Sequence, residues 1–184
     1  KGAAWYDHDY LGSNLRMTEF QAAILIAQLT RFEGQTERRQ RNAAILHEEL
    51  AGLPGLRRMA AAPEMNRRSY HMYIFRVDEA ELKVARDRII EALVAEGIPA
   101  SRGWYRPLYA NGVFQNPQGE APHAIKAPLA ARAADYAKTS CPVCEQVCRD
   151  TVWIPQNVLL AGDDQIRQLA AGVRKVFSQV AQLR

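Results

Sequence analysis

Three cysteines in 184 residues are too few, and odd in number, for a disulfide scaffold, so a reducing cytoplasm is the expected compartment. No apolar run approaches the roughly 18 residues of a membrane span. The longest small-apolar run, Ala22 to Ala27, is six residues. The first residues show no basic, then apolar, then small-residue secretion signal, and no internal repeat or low-complexity tract is visible. Phosphate loops, dinucleotide fingerprints and nucleophile elbows are missing as well: Ser13, Ser69, Ser101, Ser140 and Ser178 stand in none of the patterns that activate a serine. Lysine is scarce, with Lys1, Lys83, Lys126, Lys138 and Lys175 making up the whole set.

What is present suits a globular chain with a real core, at 48% apolar and 24% charged residues. Lys and Arg number 24 against 20 Asp and Glu, a mild excess of +4 spread along the length. Most of the cations are Arg, several in pairs (Arg38-Arg39, Arg57-Arg58, Arg67-Arg68). Arg favours bidentate contact with carboxylate or phosphate, which keeps anionic small molecules in view, although a solvated helix face accounts for most of them. The organised basic stripe of a nucleic-acid surface is lacking, so neither nucleic acid nor membrane is an expected partner.

Residues 1–17 read as an extended, aromatic lead-in containing Trp5, Tyr6 and Tyr10 and a Gly12-Ser13-Asn14 turn. Thr18 and Gln21 form a capping box that predicts a helix running to about Leu50, stopped by Gly52 and Pro54, so that residues 18–53 make one long element. From Phe20 to Phe32 its apolar residues go nearly all the way round, as in a buried helix; from Glu37 onward only Ala43, Ile45, Leu46 and Leu50 are left beside dense charge. Such a helix, about 50 Å long at 1.5 Å per residue, exceeds the width of a compact domain of this size. Its first half is therefore expected to pack on a missing domain or a second subunit; a break at Gly34 would weaken the length argument and leave the burial argument intact.

Residues 54–184 read as a small α+β domain, with helices on one face of a mainly antiparallel sheet. Tyr70 to Val77, Ile98 to Arg102 and Val152 to Ile154 are the expected strands. A helical stripe through Leu82, Ala85, Ile89, Ala92 and Leu93 ends at Gly97. Residues 103–127 are irregular, short helices are expected over Ala130–Lys138 and from about Val143, and a last helix capped by Asp163 carries the seam Ile166, Leu169, Val173, Val176, Phe177, Val180 and Leu183.

Two clusters could carry chemistry. Cys141, Cys144 and Cys148 have helical spacing, but a closed zinc site wants four ligands, so packing along one helix face is preferred and no metal is expected. Arg102, Trp104, Tyr105, Arg106 and Tyr109 can clamp an anionic or hydroxylated ligand, or can anchor a loop to the sheet; the residues alone leave both open. Asn14, before a capped helix, can present its amide to a phosphate.

The run Gly12-Ser13-Asn14-Leu15-Arg16-Met17-Thr18-Glu19-Phe20-Gln21-Ala22-Ala23-Ile24 closely resembles the DegT/DnrJ/StrS family of pyridoxal-phosphate sugar aminotransferases. The resemblance continues through Tyr70-His71-Met72-Tyr73, Glu96-Gly97-Ile98-Pro99, Tyr105-Arg106-Pro107-Leu108-Tyr109, Cys141-Pro142-Val143-Cys144-Glu145 and Val152-Trp153-Ile154-Pro155. It covers essentially the whole chain, but only by the C-terminal half of the family pattern. It implies the small C-terminal domain of a fold-type I aminotransferase behind a long connecting helix, in a homodimer, with a cofactor domain upstream.

On that resemblance, Asn14 reaches the phosphate of the pyridoxal 5'-phosphate held by the neighbouring subunit, with Arg16 beside it. Trp104, Tyr105 and Tyr109 border the substrate mouth. Many nucleotide-sugar members have His where this chain has Trp104 and Tyr109, and the pattern looks more like the cyclitol branch, which aminates scyllo-inosose-like ketones from glutamine. The expected activity is amino transfer from glutamate or glutamine to a keto-sugar or keto-cyclitol. None of the five lysines matches the Schiff-base motif, and Lys1 is too close to Asn14 for that role, so no catalytic residue is assigned and the chain alone is expected to be inactive. The competing expectation is a stand-alone, non-catalytic dimerisation module of the same descent.

Overall fold

A computed structural model describes residues 16–115, 136 and 138–184. Helix α1 (Glu19–Glu49) begins where its capping box puts it. Thr18 Oγ1 accepts from the Gln21 N–H at 3.3 Å and Gln21 Oε1 accepts from the Thr18 N–H at 2.8 Å, satisfying two donors that a helix start leaves open. Gly34 lies inside the helix without breaking it. The two halves of α1 differ in burial. Phe20 is 85% exposed and Leu29 67%, whereas Ala43 and Leu46 are fully buried.

Past Leu50 the chain lays down strand β1 (Leu56–Arg58) and then β2 (Met72–Val77). β2 starts two residues later than its aromatic run predicts, because Tyr70 takes φ +50° and cannot extend the strand. Alternation sends Tyr73, Phe75 and Val77 into the core. The stripe expected as one helix is two, α2 (Glu79–Leu82) and α3 (Arg86–Ala95), divided at Lys83, whose φ of +55° ends the first. Gly97, at φ +80°, closes α3 as expected. Its N–H reaches Val94 O at 2.9 Å and the Ile98 N–H reaches Leu93 O at 2.9 Å, the paired bonds of a Schellman stop.

The second predicted strand shrinks to β3 (Ser101–Arg102), and β4 (Thr151–Pro155) runs at the centre. The sheet order is β1-β2-β4-β3, with each pair antiparallel; Phe75 faces Val152 and Tyr73 faces Ile154 across β2 and β4. A 3-10 turn (Val158–Leu160) leads to the last long helix (Asp163–Ser178). Its cap is Gly162 rather than Asp163, and the Gln165 carboxamide oxygen accepts the Gly162 N–H at 2.9 Å.

Ala43, Leu46, Phe75, Ile89, Leu93, Val152, Ile154, Ile166, Val173 and Phe177 belong to one core cluster. Phe75 and Phe177 meet edge to face with ring centroids 6.2 Å apart. Within that core Asn42 is fully buried and donates to Leu159 O at 2.8 Å and Ala161 O at 2.9 Å, joining α1 to the 3-10 turn.

Two compact units divide the chain. One is Thr18–Gly103 with Asp150–Arg184; the other contains Trp104–Arg149, with Arg16 and Met17 among its described residues. The second unit holds a 3-10 turn (Leu108–Ala110), helix α4 (Gly112–Gln115) and helix α5 (Pro142–Asp150), numbered after α3 so that the last long helix is α6; the final residue of α5 belongs to the first unit. The helix expected over Ala130–Lys138 falls almost wholly outside the described residues, as does the lead-in that contains Asn14.

Candidate functional site

Gly103 ends β3 with its N–H on Thr151 O at 3.2 Å. A side chain there would overlap Thr151 Oγ1 and stand 2.8 Å from Trp153 Nε1, so only glycine lets the backbone lie this close to β4. The aromatic loop follows.

Within the loop unit, Pro107 fixes φ at −58° ahead of the Leu108–Ala110 turn. Asn111, nearly buried, donates its side-chain amide to Leu108 O at 2.9 Å, and Gln115 Nε2 donates to Tyr109 O at 2.7 Å. The Phe114 and Tyr136 rings pack at 5.1 Å. These local bonds give a segment without regular strands a defined course.

Tyr109 is held at its far end too. Its hydroxyl donates to Glu145 Oε1 at 2.5 Å, and the same oxygen accepts from Cys141 N–H at 3.0 Å and Ser140 Oγ at 3.1 Å. Pro142 opens α5 at a position where a missing N–H costs nothing, and Cys141 O takes the first helical bond from Glu145 N at 2.9 Å. The hydrogen bond from Tyr109, followed by that from Cys141, holds the Glu145 carboxyl below its usual range, while the bond to Glu145 pushes the Tyr109 phenol up. The pair is therefore an ionised acceptor and a protonated donor, an arrangement that orients the Tyr109 ring and does not make it a base.

Trp104 and Tyr105 are half exposed, and Leu108 beside them is open to solvent. Arg102, counted in the sequence with this cluster, binds Asp87 Oδ2 at 2.6 Å within the larger unit. Arg16 is exposed two residues before the α1 cap, and Asn14 lies outside the described residues. The structure thus joins Tyr109 to Glu145, a residue that reading the sequence for site chemistry passes over. Its signal is a carboxylate four positions after Cys141, at the start of a Pro-initiated helix.

Cys141 and Cys144 are exposed, Cys148 is buried, and all three are free thiols. Among the described residues no group of three or more His, Cys, Asp or Glu is arranged to hold a metal, and no helix is long and apolar enough to cross a membrane. The cofactor that the sequence resemblance implies needs a desolvated lysine amine. Lys83, Lys138 and Lys175 are exposed, and Lys175 Nζ sits 2.7 Å from Glu96 Oε1. The described residues do not fit the whole of pyridoxal phosphate, because none of these lysines is desolvated.

The chain matches the model of the DegT/DnrJ/EryC1/StrS aminotransferase family over residues 1–174. It is 34% identical over 178 residues to an L-glutamine:2-deoxy-scyllo-inosose aminotransferase of Streptoalloteichus tenebrarius, covering 96% of this chain and 41% of that protein. To an L-glutamine:scyllo-inosose aminotransferase of Streptomyces griseus it is 33% identical, over 94% of this chain and 40% of that one. A crystal structure of 3-amino-5-hydroxybenzoic acid synthase superposes with TM-score 0.68 at 27% identity, covering 96% of this chain and 43% of that one. S. venezuelae DesV superposes at 0.65 and 25%, over 96% and 41%. The chain spans about two fifths of the length of the curated relatives it matches.

Proposed function

This chain belongs to the DegT/DnrJ/EryC1/StrS aminotransferase family, and on that ground we propose that it works as the C-terminal part of a pyridoxal-phosphate-dependent aminotransferase. The acceptor is a keto-cyclitol or keto-sugar and the donor is glutamine or glutamate; the relatives named for glutamine and inosose substrates favour the cyclitol and glutamine. The enzyme is a homodimer of the reducing cytoplasm, a setting that suits two exposed free thiols.

The observation that carries this reading is the change of burial within α1. Phe20, Ile24, Leu25, Ile26, Leu29 and Phe32 are exposed on the half that precedes the packed core. At roughly 1.5–3 kcal/mol for each large apolar side chain buried, leaving six of them in water forgoes on the order of 10 kcal/mol. A contiguous apolar surface of this kind is an interaction face, and a cofactor domain with a second subunit would cover it.

Pyridoxal phosphate, when bound, supplies the electron sink for amino transfer. Asn14 contributes an amide to the phosphate of the partner subunit's cofactor, with Arg16 beside it. Trp104 and Tyr105 line the acceptor mouth, and Tyr109, oriented by Glu145, shapes its wall. The Schiff-base lysine lies outside these residues, so the chain alone does not transaminate.

Mixing the chain with pyridoxal phosphate, reducing with borohydride and measuring the intact mass tests this division of labour. No site-specific adduct is expected; a stable adduct at one lysine would overturn it. In the intact enzyme, Asn14→Ala is expected to lower cofactor occupancy, and full occupancy would remove Asn14 from the phosphate site. If the chain works alone as a soluble dimer with no cofactor-bearing region, the non-catalytic interaction module is correct instead.

A further inference from the structure

A groove of about 680 Å3 opens in the larger unit, between the later turns of α1, strand β1 and the connection from β1 to β2. Four arginines line it: Arg57, Arg58, Arg67 and Arg68. Two are neutralised. Arg57 pairs with Asp78 at 3.3 Å and Glu81 at 2.7 Å, and Arg67 pairs with Glu33 at 2.5 Å.

The other two have no acidic partner among the described residues. Arg58 Nη1 donates to His47 O at 3.2 Å and Arg68 Nη2 donates to Ala60 O at 3.2 Å, which leaves most of each guanidinium's donors unengaged. Their charge reaches the neighbouring side chain. His47 also lines the groove, and burial first, then Arg58 and Arg68, hold its imidazole below the usual value. The rings packed on His47 are Tyr70 and Tyr73, at 6.4 and 5.4 Å.

The backbone at the rim is strained. Tyr70 holds φ +50°, a region that an aromatic residue rarely enters, and Arg68 stacks over its ring at 5.5 Å. Strain of this kind persists where the surroundings enforce it, and it gathers at ligand clamps. Beside the guanidiniums the groove presents Leu56, Met59 and Met65. Its volume lies in the range of pockets that hold organic ligands, roughly 300–1,000 Å3, and far exceeds the space a bare phosphate needs.

From this geometry we infer that the groove binds a phosphate-bearing small molecule, its phosphate between Arg58 and Arg68 and its organic part on Met59 and Met65. Two uncompensated forks match the double charge of a phosphate monoester, whereas one carboxylate would leave a cation unanswered. An open groove of limited length with an apolar side suits a small molecule rather than the backbone of a nucleic acid, which needs an extended stripe. The inference stands apart from the amino-transfer reading: it uses none of Asn14, Arg16, Trp104, Tyr105 or Tyr109.

The test is calorimetric titration of the full chain at low salt with inorganic phosphate, glucose 1-phosphate, adenosine monophosphate, succinate and a short single-stranded oligonucleotide. One of the two organic phosphates is expected to bind saturably, more tightly than inorganic phosphate. Arg58→Ala and Arg68→Ala should each weaken it by at least roughly tenfold, and Arg57→Ala, whose guanidinium is already paired, by much less. Whichever organic phosphate wins identifies the sugar or nucleoside source.

Equal loss in all three variants would reduce the effect to net charge and overturn the inference. So would the absence of saturable binding, equal affinity for inorganic phosphate, tighter binding of succinate, or oligonucleotide binding that grows with length. Should the variants fail to fold, the His47 resonance in the unaltered chain decides. A bound phosphate must raise the His47 pKa, and an unchanged titration at saturating ligand would refute the site.

Discussion

The Tyr109 hydroxyl lies 2.5 Å from Glu145 Oε1, an oxygen that also takes the Cys141 N–H at 3.0 Å. One carboxylate thereby fixes the aromatic loop and the start of α5 together. The Glu145 carboxyl is held below its ordinary 4.5, so its contribution to stability is complete above that pH and is lost as pH falls through the lower, folded value. Tyr109→Phe removes the largest cause of that depression. The expected result is a Glu145 titration displaced upward, seen by carbon NMR of the carboxyl, with a smaller loss of stability on acidification below 4.5. An unmoved titration would mean that the hydroxyl bonds elsewhere in solution.

Asn42 has a different duty, since it is fully buried and donates from α1 to two carbonyls, those of Leu159 and Ala161. Turning the amide over would set its oxygen against both carbonyls. Asn42→Ala takes away both bonds and leaves buried acceptors behind, a loss of about 2–4 kcal/mol. Urea unfolding reads it directly, and a change under about 0.5 kcal/mol would show that water replaces the amide.

The contrast between these two residues shows what a sequence carries. The capping box at Thr18 and Gln21, the stop at Gly97, the alternation of Tyr73, Phe75 and Val77 and the apolar seam of α6 were legible because local chemistry alone produces them. β1 was not, because Leu56-Arg57-Arg58 has no strand pattern and pairs only where β2 offers an edge. The break at Lys83 was hidden for a related reason: a left-handed lysine leaves the apolar periodicity on either side almost intact. Trp104, Tyr105 and Tyr109 stand out in the sequence by their type and by the resemblance, but the bond between Tyr109 and Glu145, 36 positions apart, leaves no local mark there.

Gly103 offers a test by volume rather than by conformation. An added Cβ would lie 2.7 Å from Thr151 Cβ and 2.8 Å from Trp153 Nε1, and it would overlap Thr151 Oγ1 outright. Gly103→Ala should cost about 1–3 kcal/mol as β3 and β4 move apart. Thr151→Ala added to it should recover part of the loss, because the worst overlap is with the hydroxyl. Thermal unfolding of the single and double variants measures both, and a fully additive pair would rule out the contact.

His47 gives the chain a pH dependence of the same sense as Glu145's, in a higher pH window. Burial first, then Arg58 and Arg68, holds its folded pKa below the unfolded 6.5. Between those two values the unfolded chain binds the extra proton, so stability drops as pH falls through 6.5 toward the folded pKa and levels off below it. His47→Gln keeps the backbone carbonyl that Arg58 uses and abolishes the titration. Its melting temperature is expected to fall less than that of the parent between pH 7.5 and 5.5, roughly the window in which an ordinary histidine titrates. Parallel curves for the two proteins would remove His47 as the cause.

The exposed half of α1 predicts a separation between folding and assembly. Ile24 and Leu29 are 60% and 67% exposed, while Leu46 on the same helix is fully buried. Ile24→Glu with Leu29→Glu should therefore change the stability of the chain by no more than about 0.5 kcal/mol, the usual range of surface substitutions, and Leu46→Glu should unfold it. The same double variant should bind less hydrophobic dye and self-associate less. In the intact enzyme it should lower dimer content and cofactor occupancy while the isolated chain stays folded. A large loss of stability in a dilute, monomeric sample would place these side chains inside the fold of this chain. A loss that appears only as concentration rises would show instead that the face pairs with a second copy, since only an oligomer's stability depends on concentration.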